Sequence, residues 1–218
     1  MRTRIAIVAA AAFFVFSCKP KNNDAAGEIT DVGGIQRLMI YYPLDSTGPG
    51  GEKLYHTISP DTLTGQNGKP FLTASMKGNV VVTDFFFASC GGICPKMTSQ
   101  LTRVQAAIGK RNGFHIVSYS VDPERDSFPA LQQYAERFSA DTSMWTFVTG
   151  PKKRLYDLAR YSYYLPVQPG NGDSEDFIHS DQVVLLDRQM RIRGYYNGTD
   201  STAVDSLITD VKTLLEEK

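Results

Sequence analysis

Surplus charge of either sign is missing from this sequence, because 23 lysine and arginine residues balance 23 aspartate and glutamate residues over 218 positions. A nucleic-acid-binding surface needs an excess of basic side chains to replace the counterions of the phosphates, so nucleic acid is not expected as a partner. Only three cysteines are present, too few for a small domain held together by disulfides. The length allows one compact domain with a sizeable core, together with tails.

A long hydrophobic run is also missing from the N-terminus, where only Ile5 to Phe16 are continuously apolar, after two arginines. This run is too short to cross a bilayer comfortably as a helix, and its order is typical of an export signal, with an uncleaved anchor as the alternative. The tetrad Val15-Phe16-Ser17-Cys18 resembles the lipobox of bacterial lipoproteins. That resemblance implies cleavage before Cys18, acylation of its thiol, and an exported lipoprotein anchored to the membrane on the periplasmic side.

The chain therefore divides into three predicted segments. We expect a lipoprotein-type signal peptide over residues 1–17, a lipid-anchored tether and N-terminal extension over 18–54, and a folded domain over 55–218. Residues 19 to about 37 are polar and contain three glycines, as tethers do. Within the extension, a strand is predicted around Leu38 to Tyr42, before the glycine- and proline-rich piece Ser46 to Gly51.

Strand and helix patterns alternate from Val80 onward. Strands are predicted at Val80–Phe87, Phe114–Val121, Trp145–Val148, Val183–Leu186 and Met190–Tyr196, and helices after Pro95, from Pro129, from Lys152 to about Tyr163, and at the C-terminus. This order predicts an α/β domain with a mixed central sheet flanked by helices. Residues that follow the first of these strands are expected at the carboxyl edge of the sheet, where sites are usually built.

Cys90 and Cys94 lie at that edge, between a predicted strand and a predicted helix. Four residues apart at a helix start, they can share a face and converge on one metal ion or form a disulfide. The free amides of a helix N-terminus stabilise a thiolate, which is both a nucleophile and a soft metal ligand. An inert disulfide is the alternative, but such a short loop constrains the unfolded chain very little. The spacing favours metal or redox chemistry.

Two cysteines rarely complete a metal site, and the sequence has only three histidines. His56 precedes the predicted core, and His115 lies within a predicted strand, where a packed or hydrogen-bonded role is expected. His179 stands in a loop before a strand, and loops often carry binding residues. His179 is therefore the candidate third ligand, with an ordinary exposed histidine as the alternative.

Three motifs together resemble the Sco/SenC family: Phe85 to Pro95, Val121 to Asp126, and Ile178-His179-Ser180 ahead of Val183 to Asp187. The similarity runs from about Tyr55 to the C-terminus. The resemblance implies a thioredoxin-like fold in which Cys90, Cys94 and His179 bind copper. The family often has an aspartate directly before the histidine, where this sequence has isoleucine, so Asp176 or Asp181 is a candidate partner for the imidazole.

The resemblance also implies a function. Family members deliver copper to the binuclear centre of cytochrome c oxidase subunit II, or keep the cysteines of that centre reduced. A copper metallochaperone is thus expected, with a thiol-disulfide oxidoreductase that cycles Cys90 and Cys94, and needs a thiol reductant protein, as the alternative. Whether the protein is an enzyme stays open at this stage. The ligand set suits Cu(I), with Cu(II) as a second state, although zinc accepts the same residue types.

Three acidic residues near the predicted site carry further expectations. Asp84 interrupts an otherwise apolar strand, and a buried carboxylate needs either a partner or a raised pKa. It can tune a cysteine thiol or pair with a cation, and the sequence does not choose between these roles. Asp122 and Asp126 are expected to end a strand and cap the next helix rather than to bind metal.

Overall fold

The computed structural model describes residues 30–32, 35–165 and 180–217. The predicted signal peptide, Cys18, Asp176 and His179 lie outside these residues. Within them, no helix is both long and apolar enough to span a membrane.

The described part of the chain contains strands, helices and two short helical turns. The strands are β1 (Thr30–Val32), β2 (Ile35–Arg37), β3 (Pro43–Thr47), β4 (Lys53–Tyr55), β5 (Thr62–Gly65), β6 (Pro70–Leu72), β7 (Val80–Phe86), β8 (Phe114–Ser120), β9 (Trp145–Thr149), β10 (Gln182–Leu186) and β11 (Ile192–Asn197). The α-helices are α1 (Ile93–Ile108), α2 (Phe128–Arg137), α3 (Lys152–Asp157) and α4 (Ser201–Glu216). A 3₁₀ turn covers Thr73–Met76, and a π-helical turn covers Leu158–Ser162.

Seven strands form one mixed sheet in the order β11-β10-β7-β8-β9-β5-β6. β7, β8 and β9 are parallel to one another, whereas β10 is antiparallel to both β7 and β11, and β5 is antiparallel to β9. Two separate hairpins, β1-β2 and β3-β4, precede this sheet. The predicted α/β class with a mixed central sheet flanked by helices is confirmed.

The central strand β7 is buried along its whole length. Because strand side chains alternate between faces, Val80, Val82 and Phe86 pack with α1, α2 and α4 on one side. Val81 and Phe85 pack with α3 and the π-helical turn on the other side. A strand that is covered on both faces reads as a continuous apolar run, which explains why the sequence predicts its bounds to within one residue.

The predicted strand around Leu38 to Tyr42 is wrong, because these residues form no ladder and lie between β2 and β3. The carbonyl oxygens of Leu38 and Met39 instead accept hydrogen bonds from the buried guanidinium of Arg193. A side chain therefore satisfies backbone groups that a strand partner would otherwise bind.

The predicted helix from Lys152 to about Tyr163 changes its winding halfway. It is α-helical over Lys152–Asp157 and π-helical over Leu158–Ser162. The helix after the cysteines also begins earlier than predicted, at Ile93, so Pro95 lies inside its first turn. A missing amide hydrogen still costs nothing at that position, because the first amides of a helix have no partner within it.

Candidate metal centre

The turn from β7 to α1 holds both cysteines of the described chain. Cys90 donates its backbone amide to the carbonyl of Phe87 at 3.2 Å, and its sulfur accepts a hydrogen bond from the amide of Gly92 at 3.4 Å. Cys90 is partly exposed, whereas Cys94 is buried in the first turn of α1, and both are free thiols. One thiol is thus partly accessible to solvent, whereas the other is enclosed in the core.

The surroundings shift the pKa values of the two thiols in opposite directions. Burial raises the pKa of Cys90, but hydrogen bonds from the amides of Cys94 and Gly92, and from the Cys94 thiol, bring it below its ordinary value. For Cys94, burial dominates and raises the pKa to about 12, and the neighbouring Cys90 and Asp84 add to the increase. The predicted activation of at least one thiol at a helix N-terminus therefore applies to Cys90.

Asp84 lies on the same face of β7 as this turn and is fully buried. Its Oδ1 accepts a 2.5 Å hydrogen bond from Ser118, which also accepts one from Trp145 Nε1 at 2.9 Å. Burial raises the pKa of Asp84 to about 7, although the bond from Ser118 opposes this change. No described cation pairs with Asp84, and its charge acts on Cys94. Of the two roles left open by the sequence, tuning of a thiol fits this environment.

Asp126 stabilises the cysteine turn through hydrogen bonds, a role that the sequence did not predict. Its Oδ2 accepts hydrogen bonds from the amide of Ala88 at 3.0 Å and from the hydroxyl of Ser120 at 2.6 Å. The expectation that it caps the next helix is wrong, because the N-cap residue of α2 is Ser127, whose side chain makes no capping hydrogen bond. The spacing in sequence carries no signal for a contact between residues 88 and 126.

Two of the three histidines lie in the described residues and are engaged elsewhere. Nε2 of His115 lies 2.8 Å from the hydroxyl of Thr146 within the sheet, and burial lowers the pKa of His115, as expected for a strand residue. Nε2 of His56 donates to the carbonyl of Ser162 at 2.8 Å. Across residues 30–32, 35–165 and 180–217, no group of three or more histidine, cysteine or acidic side chains is arranged to hold a metal ion.

His179 itself lies outside the described residues, but the strand that follows it, β10, begins near the cysteine turn. β10 runs antiparallel to β7, with Val184 opposite Thr83 and Leu186 opposite Val81. The chain therefore enters β10 at the carboxyl edge of β7, the edge that carries the cysteine turn. Asp181, near the start of β10, has both carboxylate oxygens hydrogen-bonded, to Asn197 and Gln182.

Comparisons with known proteins agree on one family. The model of the SCO1/SenC family matches residues 51–216. The SCO1 protein homolog of Bacillus subtilis (strain 168) is 32% identical over 164 residues, which cover 74% of this chain and 84% of that protein. The crystal structure of a SCO1/SenC family lipoprotein from Bacillus anthracis str. Ames superposes with a TM-score of 0.67 at 30% identity, over 82% of this chain and 100% of the other.

Two further solved structures are similar. BsSco, described as a member of the Sco family of cytochrome c oxidase assembly proteins and studied for a disulfide switch, gives a TM-score of 0.65 at 32% identity, over 75% of this chain and 95% of the other. ScoI of Bradyrhizobium japonicum, solved with copper bound, gives 0.58 at 25% identity, over 72% and 99%.

Proposed function

Because the chain belongs to the SCO1/SenC family, we propose that it is a copper metallochaperone that assists assembly of the binuclear copper centre of cytochrome c oxidase. Copper is its cargo, held by Cys90, Cys94 and His179. The observation that carries the proposal is the pair of adjacent free thiols at the start of α1, one of them with a lowered pKa. Relatives that assemble cytochrome c oxidase or bind copper support the same conclusion.

The described donors fit a soft metal ion. A thiolate is the ligand form of cysteine, and the amides around Cys90 favour that form before any metal arrives. Cys94 gives up its proton with difficulty, because burial raises its pKa to about 12. Metal binding must therefore displace that proton, so copper uptake is expected to strengthen as pH rises. Two thiolates and one imidazole suit Cu(I), and three ligands leave the ion accessible to an acceptor.

The position of β10 supports His179 as the third ligand. The chain reaches Ser180 at the edge of the sheet that carries the cysteine turn. A residue directly before Ser180 has only a short distance to cover, since one residue spans at most about 3.6 Å. Neither His56 nor His115 offers an alternative, because each is hydrogen-bonded within the fold.

Delivery requires an exported protein near its recipient. We propose that acylated Cys18 anchors the chain to the membrane on the periplasmic side, and that cytochrome c oxidase subunit II accepts the copper. The similar lipoprotein from Bacillus anthracis supports the anchor. Replacement of Cys18 by serine should release the protein from the membrane fraction and abolish its labelling with a radioactive fatty acid. Unchanged labelling in that variant would contradict the anchor while leaving the copper site untouched.

Copper binding by the reduced protein tests the proposed ligands. Under anaerobic conditions, competition with a chromogenic Cu(I) chelator should reveal one tight Cu(I) per chain. Cys90→Ala, Cys94→Ala and His179→Ala should each weaken binding, by at least about tenfold. His115→Ala is the matched control, since this histidine lies at the opposite end of β7, beside Val81. Equal affinity in the His179→Ala and wild-type proteins would remove His179 from the site.

A thiol-disulfide oxidoreductase is the second candidate, favoured by the contrast between partly exposed Cys90 and buried Cys94. The Cys90 thiolate attacks a substrate disulfide, one substrate sulfur leaves as a thiolate, and Cys94 then displaces the other to close a Cys90–Cys94 disulfide. A thiol reductant protein supplies the two electrons that restore the dithiol. Copper-free reduction of an oxidised subunit II peptide that survives His179→Ala would favour this activity over copper delivery.

A further inference from the structure

The backbone of Cys94 is held by hydrogen bonds that begin on another helix. Thr98, one turn further along α1, places its hydroxyl 2.9 Å from the carbonyl oxygen of Cys94. The same hydroxyl lies 2.8 Å from the phenol oxygen of Tyr134 on α2. All three residues are buried. Two hydroxyl groups therefore join α2 to the first turn of α1 inside the core.

The direction of both hydrogen bonds follows from the groups that make them. A carbonyl oxygen only accepts, so Thr98 donates its single hydroxyl proton to Cys94. Tyr134 must then donate its own proton to Thr98, because the hydroxyl of Thr98 has no second hydrogen to give. A phenylalanine at position 134 would keep the ring and remove only this donor.

The ring of Tyr134 is fixed independently of its hydroxyl. It packs against Phe86, Phe138 and Phe147, with ring centroids 4.9, 4.8 and 5.9 Å away. Phe86 is the last residue of β7, the strand that leads into the cysteine turn. Because these contacts hold the ring in place, loss of the hydroxyl alone separates the effect of the hydrogen bond from the effect of packing.

The side chain of Cys94 is oriented by the cysteine turn. The amide of Phe87 donates a hydrogen bond to the sulfur of Cys94, and the thiol of Cys94 donates one to Cys90. The carbonyl of Phe87 accepts a hydrogen bond from the amide of Cys90 at 3.2 Å. One backbone position thus contacts both cysteines, and the separation of the two sulfurs depends on where α1 places Cys94.

From this arrangement we infer that Tyr134 is a positioning residue for Cys94. Acting through Thr98, it fixes the first turn of α1 so that both sulfurs can bind one atom. Two thiols bind one atom tightly when their separation is already correct, since little freedom is then lost on binding. For copper this role rests on the proposed function, whereas for the dithiol itself it does not.

A trivalent arsenical measures the geometry of the dithiol without any histidine. Phenylarsine oxide forms two As–S bonds with two thiols, and its oxygen leaves as water with both thiol protons. Tyr134→Phe should weaken this binding by about tenfold, and Cu(I) binding by a similar factor. Thr98→Val should have the same effect, whereas Thr98→Ser keeps the hydroxyl and should stay within about threefold of wild type.

A double-mutant cycle tests whether the two hydroxyl groups act in series. Because Tyr134 acts through Thr98, the variant that combines Tyr134→Phe with Thr98→Val should bind the arsenical within about twofold of Thr98→Val alone. Alkylation of Cys90 by a reagent that needs one thiol gives a second readout. In the Cys94→Ala background, Tyr134→Phe should leave that rate unchanged, because the effect reaches the dithiol only through Cys94.

Tyr119→Phe is the matched control. The hydroxyl of Tyr119 lies 3.0 Å from that of Tyr163 and is equally buried, but in the core on the other face of the sheet. Its removal should lower the midpoint of urea unfolding by an amount similar to that in Tyr134→Phe, since each variant loses one buried hydrogen bond. Arsenical and Cu(I) binding should stay at wild-type affinity in Tyr119→Phe.

The outcomes are distinguishable. Wild-type arsenical affinity in Tyr134→Phe, or equal weakening by Tyr134→Phe and Tyr119→Phe, overturns the positioning role and leaves the copper proposal intact. Arsenical binding that depends on Tyr134 in a protein that binds no Cu(I) supports the positioning role and contradicts the proposed function. If Tyr134→Phe does not fold, equal affinities of Thr98→Ser and Thr98→Val overturn the role, and a selective loss in Thr98→Val supports it.

Discussion

Ser118 donates a 2.5 Å hydrogen bond to Asp84 across the parallel pair of β7 and β8. The other carboxylate oxygen of Asp84 is buried and has no hydrogen-bond partner among the described residues. An ionised carboxylate with one satisfied oxygen is costly in the core, so the neutral acid is favoured and the pKa of Asp84 rises to about 7. The protein therefore contains a carboxyl group that titrates near neutral pH beside its cysteine turn.

The first prediction concerns stability against pH. The folded pKa of Asp84 is about 7, above the ordinary value of 3.8, so its neutral form stabilises the fold below pH 4, and this contribution is lost as pH rises to 7. Asp84→Asn should remove that slope, which amounts to a few kcal/mol, on the order of 1.4 per pH unit. Urea unfolding of the metal-free protein between pH 4 and 8 measures it. An undiminished slope in the variant would show that Asp84 is not the group responsible.

The second prediction concerns the two thiols. At pH 7, a small alkylating reagent should modify Cys90 first, because its pKa is lowered and it is partly exposed. Cys94, with a pKa of about 12, should react at least about a hundredfold more slowly in the Cys90→Ala variant than Cys90 does in Cys94→Ala. Mass spectrometry after timed quenching identifies the modified residue. Preferential modification of Cys94 would contradict the assignment of the exposed nucleophile.

The sequence predicts a structural feature when the interactions that form it join residues that are close along the chain. Local patterns predict three consecutive features. An apolar run predicts β7, two glycines predict the turn with Cys90 and Cys94, and a proline predicts the helix after it. These signals lie within a few residues of the structure they specify. The motif resemblance then identifies the family, which the match over residues 51–216 confirms.

The hydrogen bonds that support the cysteine turn could not be predicted from the sequence, because they join residues that are far apart along the chain. Asp126 binds the amide of Ala88 from 38 positions away, and Asp84 meets Ser118 over 34 positions. Helical or strand periodicity holds no information on such pairs, so a helix cap is the natural but wrong interpretation of Asp126. The same limit explains the mistaken strand at residues 38–42, whose carbonyls bind a side chain about 155 positions later.

The third prediction uses the backbone of Tyr164. This residue has φ 49°, in the left-handed region, and its ring lies 4.4 Å from that of Tyr42 and 4.6 Å from that of His56. Removal of the ring should destabilise the fold by about 1 kcal/mol. Of the two variants that lack the ring, Tyr164→Gly should be more stable than Tyr164→Ala by about 1 kcal/mol, because glycine adopts the left-handed conformation without strain.

The exposed helical position Ala106 supplies the control for that comparison. There, Ala106→Gly should cost about 1 kcal/mol, the reverse order of the same two residue types. Thermal or urea unfolding of the three variants and the wild type measures both differences. If alanine is the more stable residue at both positions, the left-handed conformation of Tyr164 contributes no strain.

The fourth prediction concerns Arg193, whose side chain is only 2% exposed. It pairs with Asp187 at 3.2 Å and with Glu217 at 3.0 Å, and it donates to the carbonyls of Leu38 and Met39 at 2.7 and 3.0 Å. One guanidinium thus joins residues 38 and 39 and the end of α4 to β11. Arg193→Met should destabilise the protein by about 3 kcal/mol, since two carboxylates lose a buried cation.

The matched control is Arg103→Met, which removes an exposed arginine paired with Asp205 and should cost less than about 1 kcal/mol. Hydrogen exchange localises the effect of Arg193→Met: the amide of Tyr41, which donates to the carbonyl of Ile192 at 3.0 Å, should lose protection before the amides of β7. Loss of protection at both places together would mean that Arg193 stabilises the whole fold rather than the attachment of residues 38–41. A selective loss at Tyr41 shows that Arg193 orders residues 38–41 against β11, because backbone hydrogen bonds at an edge open when the contact that orders them is removed.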